Sequence, residues 1–430
     1  MPIWPGGKSF ETDANYAPQN ILADGDNLGR PACRAGGVAP HDIDVDAGRG
    51  GTMKIWPWLL VVAGLLGGCD NWGDPATARA RRAASADGEI VIGAVWPWGG
   101  HKGSLWQGIE LAAEEINAQG GILGRPVRII KEDDEASLAK GRLIAQQFAE
   151  NRDMVAVIGH LNSYIALPAS SMYQAAGLLY LTPGASDYQI NLQGHKLVFR
   201  SSPSNRSLGS RMADFMAARG YRRVAIAYVK DKTSQGMANY FEQRARELGM
   251  TIVDRRSYAI SAEDFGQLTH TWKDLYQFDA IFLAGNMPVA GQFIKAVRSL
   301  GMTMPIVGGD GMDTPQLLQL GALAEGVVVP EIYDADTRRP AVSHFETLFQ
   351  KKYGRAADTF AAQGYDALQL VAQAMRQARG TVPDDVARAL HATRTWQGVT
   401  GEVSFDDLGD MPERKIGQKI VRDGRFVSLP

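Results

Sequence analysis

Asp153-Met-Val-Ala-Val-Ile-Gly-His160 recurs, class for class, as Asp279-Ala-Ile-Phe-Leu-Ala-Gly-Asn286. Each stretch is an aspartate, a short apolar run without alternation, a glycine and a polar side chain. An apolar run of this length bounded by turn residues reads as a strand buried on both faces. Each copy is followed by a helix closing at a glycine, Ala176-Gly177 in one and Leu300-Gly301 in the other. A short apolar strand and a glycine-containing turn come next, Thr182-Pro-Gly-Ala-Ser186 and Gly308-Gly-Asp310. Internal duplication of one α/β unit is the economical reading.

The flanking sequence extends the pattern. Residues 89–95 form a β-branched run that ends at Trp96-Pro97 and reads as a buried strand. Helical spacing of Leu105, Trp106, Ile109, Ala112, Ala113 and Ile116 predicts a helix over 103–117, stopped by Gly120-Gly121. A strand is expected at 127–131 and a helix at 137–149. The second half repeats the order, with strands at 222–228, 251–255 and 280–284 and helices at 235–248 and 265–276. Strands alternating with helices make an α/β fold of parallel sheets covered on both faces.

The duplication also predicts a site. Ligands bind beyond the carboxyl ends of the strands in open parallel sheets. Here those ends are 160–163 and 182–186 in one lobe, Asn286-Met287 and Asp310 in the other. Hydroxyls and amides at a helix start suit a carboxylate. A facing aspartate suits an ammonium. An α-amino acid satisfies both sides together.

Nearer the N-terminus, Met53-Lys54, the apolar residues 55–66 and Leu66-Gly67-Gly68-Cys69 read as a lipoprotein signal peptide with its lipobox. The apolar core is too short to span a bilayer as a mature helix. Cys69 is then the acylated first residue of the mature chain, and Asp70 behind it marks retention at the inner membrane. Residues 1–52, upstream of a complete signal, read as a mis-annotated or disordered leader, with Met53 as the true start. Residues 69–88 lack periodicity and read as a flexible tether.

Composition narrows the class. Roughly 360 residues follow the signal, too many for one compact core and suited to two lobes. The net charge of −2 and the lack of a basic stripe give no footprint for nucleic acid. Of the two cysteines, Cys33 lies in the leader and Cys69 carries lipid, so no disulfide is expected in the mature domain. An enzyme would need a reactive constellation. There is no Gly-x-Ser-x-Gly elbow, no phosphate-loop spacing and no zinc-like histidine pairing. No metal or other cofactor is expected. His160 reads as a strand-end polar residue rather than a base, and His195 as a loop residue.

A series of motifs in register resembles the leucine/isoleucine/valine-binding family of type I periplasmic binding proteins, the capture components of ABC importers. These are Glu114-Glu-Ile-Asn-Ala-Gln-Gly-Gly-Ile-Leu-Gly-Arg-Pro126, Glu132-Asp133-Asp134, Val157-Ile-Gly-His-Leu-Asn-Ser163, Thr182-Pro-Gly-Ala-Ser186, Gly308-Gly-Asp-Gly311 and Gly398-Val-Thr-Gly-Glu-Val-Ser-Phe-Asp406. The resemblance implies two lobes joined by three hinge crossovers, residues 89–202 plus 331–401 in one and 203–330 plus 402–430 in the other. Ligand closes the cleft, and membrane permease subunits recognise the closed form.

The resemblance also implies site residues. Ser163 and Ser186 match hydroxyls that hold the ligand carboxylate, with Gly184 and Ala185 contributing backbone, and Asp310 matches the acid that holds the α-amino group. Serine at a strand-to-helix turn also serves as an N-cap, and aspartate among glycines as a turn residue. Where many relatives carry tyrosines this chain has Thr233 and Asn286, so branched-chain specificity does not follow. Trp98 either lines the side-chain pocket or packs structurally, and Lys102 pairs with an acidic ligand group or is simply solvated. The expected function is periplasmic capture of an amino acid or related small carboxylate for an ABC importer. The alternative is a membrane-tethered sensor or envelope regulatory scaffold on the same fold.

Overall fold

The computed structural model describes residues 74–85, 87–99, 104–259, 261–335, 338–412 and 414–429. The leader, the signal segment, Cys69, Asp70, His101 and Lys102 lie outside them. All described residues belong to one compact unit, Cys69–Pro430.

Two sheets organise the unit. The first has strands β1 (Ile90–Trp96), β2 (Val127–Asp133), β3 (Met154–Gly159), β4 (Leu179–Thr182) and β5 (Val198–Arg200), all parallel, in the order β2-β1-β3-β4-β5. The helices threaded between them are α1 (Pro75–Ser85), ahead of β1, then α2 (Ser104–Ala118), α3 (Leu138–Glu150), α4 (Ser163–Ala175) and the short α5 (Gln189–Leu192). The second sheet follows α6 (Asn205–Ala218). It contains β6 (Arg223–Val229), β7 (Thr251–Tyr258), β8 (Ala280–Ala284), β9 (Ile306–Gly308) and β10 (Val328–Glu331), with α7 (Lys232–Glu247), α8 (Gly266–Leu275), α9 (Val289–Ser299) and α10 (Pro315–Leu318) between them. After helices α11 (Pro340–Tyr353), α12 (Thr359–Ala378) and α13 (Pro383–His391) and the hairpin β11 (Trp396–Gly398) to β12 (Gly401–Val403), the chain returns to this sheet. Strands β13 (Gly417–Arg422) and β14 (Arg425–Leu429) add antiparallel at its edge, giving the order β14-β13-β10-β9-β8-β6-β7.

Alternating side chains send each central strand into two cores. Ile90, Ile92, Ala94 and Trp96 join the cluster under α2 and α12, while Val91 and Val95 join the one under α3 and α4. In the second sheet Val224 and Ile226 face one cluster and Ala225, Ala227 and Val229 the other. Because both faces are covered, the strand sequences are continuously apolar. Helices α2 and α12 meet almost backbone to backbone. A Cβ on Gly108 would collide with the Ala361 carbonyl, and one on Gly364 with the Leu105 carbonyl, so only glycine permits this crossing.

The chain passes between the sheets three times, after β5, after β10 and between β12 and β13. Buried polar side chains hold these crossings. Arg414 donates to the carbonyls of Ser201 (2.9 Å) and Thr400 (2.6 Å), and burial brings its pKa down to about 10, still charged at neutral pH. Arg200 pairs with Asp410 through two hydrogen bonds of 3.2 and 2.6 Å and donates to the Asp187 carbonyl at 2.7 Å. Asp366 accepts from the N–H groups of Val399 and Thr400, both at 2.8 Å, and from the Thr400 hydroxyl.

One expectation is corrected here. The stretch read as a flexible tether contains α1, which is docked by a fully buried Arg79. Its guanidinium donates to the carbonyls of Ala149 (2.5 Å), Asn151 (2.6 Å), Met154 (2.7 Å) and Ala176 (3.0 Å). Those carbonyls close α3 and α4 or open β3, where the negative helix ends gather. An Ala/Arg-rich stretch with little apolar periodicity is thus fixed by hydrogen bonding rather than by an apolar face.

Candidate functional site

Strands β3 and β4 run side by side and release their chains at the same edge. After β3, residues 160–162 lead into α4. Asn162 occupies the N-cap position, but its side chain makes no capping hydrogen bond and its Oδ1 is buried without a partner. The leading amides of α4, which have no intrahelical acceptor, therefore face the cleft uncapped. Ser163 is the first helical residue, and its hydroxyl accepts from the Asp187 N–H at 3.1 Å. After β4 the Thr182 hydroxyl donates to the His160 carbonyl at 3.1 Å and accepts from the Ala185 N–H at 3.0 Å, clasping the two loops together. Gly184 lies on the ring of the buried Trp96, where a Cβ would collide with the indole. The Ser186 carbonyl accepts from the Asn205 N–H at 2.6 Å across the first crossing.

The facing wall comes from the second sheet. Asp231, after β6, caps α7 by accepting from the Ser234 N–H (2.8 Å) and hydroxyl (2.9 Å). Thr233, Ser234 and Met237 continue the wall along α7, and Ala284, Gly285 and Asn286 enter from the end of β8. After β9 a single 3-10 turn, Asp310–Met312, presents Asp310 and Gly311. Asp313 behind it accepts from the Thr359 hydroxyl and the Lys419 ammonium, both at 2.7 Å. Ile332 from the second crossing and Thr359, Phe360 and Gln363 from the start of α12 complete the lining. Phe360 meets Trp96 edge to face, with centroids 6.1 Å apart.

The space between the walls is about 130 Å³. A cavity of about 150 Å³ admits benzene, so the space fits one small molecule. One wall offers hydroxyls and open helix amides and the other carboxylates. Among the described residues no trio of His, Cys, Asp or Glu is arranged to hold a metal, and no helix is long and apolar enough to cross a membrane.

Six of the sequence-expected residues meet in this lining: Ser163, Gly184, Ser186, Thr233, Asn286 and Asp310. Two do not. Ala185 is fully buried with its methyl in the core beneath the loop. Trp98 is occupied elsewhere: its indole N–H donates to the Glu132 carbonyl at 2.7 Å, it packs edge-on against Trp106, and the Lys131 ammonium lies over both rings. Its packing alternative therefore holds. Neither serine is an N-cap, since Asn162 and Tyr188 hold those positions. His160 is a buried strand-end residue, with Nδ1 2.8 Å from Asp134 and Nε2 3.1 Å from the Tyr173 hydroxyl. His195 lies 3.2 Å from the Ser171 hydroxyl, outside the lining, and burial holds its pKa below the usual value. Asn162 lies in the expected strand end 160–163, whereas the sequence reading missed Asp231, Met237, Asp313, Ile332, Phe360 and Gln363. Asp231 was findable, because Asp231-Lys-Thr-Ser234 has the form of a helix start.

Residues 71–416 match the sequence profile of the periplasmic binding protein family. The chain belongs to that family. It is 27% identical over 332 residues to the Leu/Ile/Val-binding protein homolog 1 of Brucella abortus, covering 76% of this chain and 88% of that one. It is also 27% identical over 360 residues to the Leu/Ile/Val-binding protein of Escherichia coli, covering 82% and 94%. Among solved structures, the ABC transporter substrate-binding protein from Desulfitobacterium hafniense in complex with Leu has 36% identity and a TM-score of 0.72, covering 79% of this chain and all of that one. These relatives are binding proteins rather than enzymes. This periplasmic binding protein shares its overall fold with the solved Desulfitobacterium hafniense protein.

Proposed function

We propose that the chain is a solute-binding lipoprotein of the periplasm, held at the inner membrane through acylated Cys69, that captures an amino acid or related small carboxylate and delivers it to the permease subunits of an ABC importer. The single observation that carries this reading is the opposed polarity of the cleft walls. The carboxylate sits at the open start of α4, hydrogen-bonded by the hydroxyls of Ser163 and Ser186 and the leading amides of that helix, while Asp310 takes the α-ammonium. Relatives named for leucine, isoleucine and valine binding, and the leucine complex at 36% identity, support the amino-acid class.

The working parts are two lobes, residues 89–202 with 331–401 and 203–330 with 402–430, turning about the three crossings. Each lobe carries half of the recognition, so a ligand touching both favours the closed state. A ligand of equal affinity for open and closed states would shift nothing.

The test is calorimetric titration with a panel of amino acids and small carboxylates after ligand has been stripped by unfolding and refolding. Binding of α-amino acids that disappears in Asp310→Ala, with the melting transition retained, is the expected result. Undiminished affinity in that variant would sink the role of Asp310. No response to any member of the panel would sink the amino-acid reading.

A further inference from the structure

The charges around the cleft do not balance for a neutral amino acid. Every charged side chain among its described lining residues is a carboxylate: Asp231, Asp310 and Asp313. Asp313 is neutralised by Lys419 at 2.7 Å. Asp310 is matched by the α-ammonium in the function proposed above, on which this inference rests. Asp231 is left over. Its oxygens accept from the Ser234 N–H and hydroxyl, both neutral donors, and each keeps a lone pair. Short polar side chains, Thr233 and Asn286, stand on the same wall, and Tyr164 lines the cleft near Asp231.

A second observation marks the same corner. Tyr258 is 7% exposed, and its hydroxyl is buried with no hydrogen-bond partner. That hydroxyl abuts Gly285 of the cleft wall, where a Cβ would collide with it. Burial, then the nearby Asp231 charge, push the phenol well above its usual range, so it stays a neutral donor and acceptor. A buried hydroxyl without a partner is uncommon in a finished site.

We propose that the cleft selects an α-amino acid whose side chain ends in a cation, with Asp231 as the counter-ion of that second positive group. The selection operates on closure. Bringing the walls together strips water from Asp231, and an unpaired carboxylate resists that step. A side-chain ammonium removes the penalty. A leucine-like side chain leaves it in place, and an acidic one adds repulsion. Discrimination thus comes as much from the cost of closing on the wrong ligand as from a contact with the right one.

The experiment uses the purified full chain, stripped of ligand and titrated calorimetrically with ornithine, lysine, leucine and glutamate. Asp231→Asn is the informative variant, because asparagine caps a helix about as well as aspartate and the fold is kept. The parent should bind ornithine or lysine at least about tenfold more tightly than leucine and should not bind glutamate. In Asp231→Asn the cationic ligands should lose about tenfold or more, while leucine holds or gains because its closure penalty is gone. A purely structural role for Asp231 would instead weaken all ligands alike. Leucine binding as tightly as ornithine and lysine in the parent, or a uniform loss in the variant, overturns the inference while leaving amino-acid capture intact. Failure of every amino acid to bind the parent overturns the underlying reading as well.

Discussion

Thr182 offers a direct test of how the first sheet shapes the cleft. It is fully buried at the end of β4, and its one hydroxyl joins the two loops that carry the site. Thr182→Val keeps the shape and removes the clasp. The Ala185 N–H then has no partner and the His160 carbonyl loses one, in a place water does not reach. A buried polar group left unpaired costs about 1–3 kcal/mol, and a carbonyl that keeps a second lone pair falls at the low end, so the sum is about 2–4 kcal/mol. The loops can relax to recover part of this, but relaxation moves Ser163, Gly184 and Ser186, and ligand must then restore their positions. At about 1.4 kcal/mol per decade the affinity loss is roughly 10- to 100-fold. Urea unfolding reads the stability and titration calorimetry reads the affinity. Thr182→Ser, which keeps the hydroxyl, should recover most of both. A valine variant with unchanged unfolding midpoint and unchanged affinity would falsify the reasoning.

Two further substitutions probe the scaffold. Arg79→Ala takes a charged donor from four carbonyls, of which Asn151's keeps the Met154 N–H at 3.2 Å. The loss should exceed what docking of α1 can supply, so the helix should detach and let water in; hydrogen exchange should show lost protection over 75–85 with only about 2–3 kcal/mol lost globally, and continued protection of α1 refutes the docking role. Asp366 carries a carboxyl raised by burial, opposed by its three hydrogen bonds and Arg414. With the folded pKa above the unfolded one, its stabilising contribution is fully present below about pH 4 and is lost as pH rises through the folded value. Relative to Asp366→Asn, the parent should therefore gain stability as pH falls from about 7 towards 4. A constant difference across that range, measured by urea unfolding, would remove Asp366 from the pH dependence.

The strands were legible because burial on both faces writes itself into local sequence, as in 154–158 and 280–284. Glycine punctuation then gave the helices and the turns. What could not be read locally came from groups that meet only after folding. Phe360 and Gln363 lie nearly two hundred residues beyond Ser163 and reach the cleft because Gly108 and Gly364 let α12 pack tightly on α2. Arg79 looked like one more arginine in a polar stretch, since its acceptors are the helix ends at 149–154 and 176. Ala185 sits between two lining residues, yet the bond to Thr182 turns it into the core. Trp98 found a carbonyl on β2 and a lysine beside it before it could reach the ligand space. The resemblance named Ser163, Gly184, Ser186 and Asp310, which the fold brings into one lining, and said least about the side-chain wall.

The contacts that span the cleft bear on how the clamp works. Thr359 starts a helix that packs on the first sheet, while Asp313 follows the last parallel strand of the ligand wall in the second, so the 2.7 Å bond between them joins the two sides. Lys419 holds Asp313 from the second sheet at 2.7 Å and orients its carboxylate for that bond. A hydrogen bond to a charged group contributes about 1.5–3 kcal/mol, enough to bias the arrangement but less than the roughly 5.5 kcal/mol needed to move a two-state equilibrium from 1:99 to 99:1. The remainder has to come from a ligand that engages both walls. Asp231 works in the opposite direction, resisting closure until its charge is met. A weak latch and a charge that opposes closing together place the decision with the ligand, which is what a capture protein requires if its partner is to respond only to the loaded form.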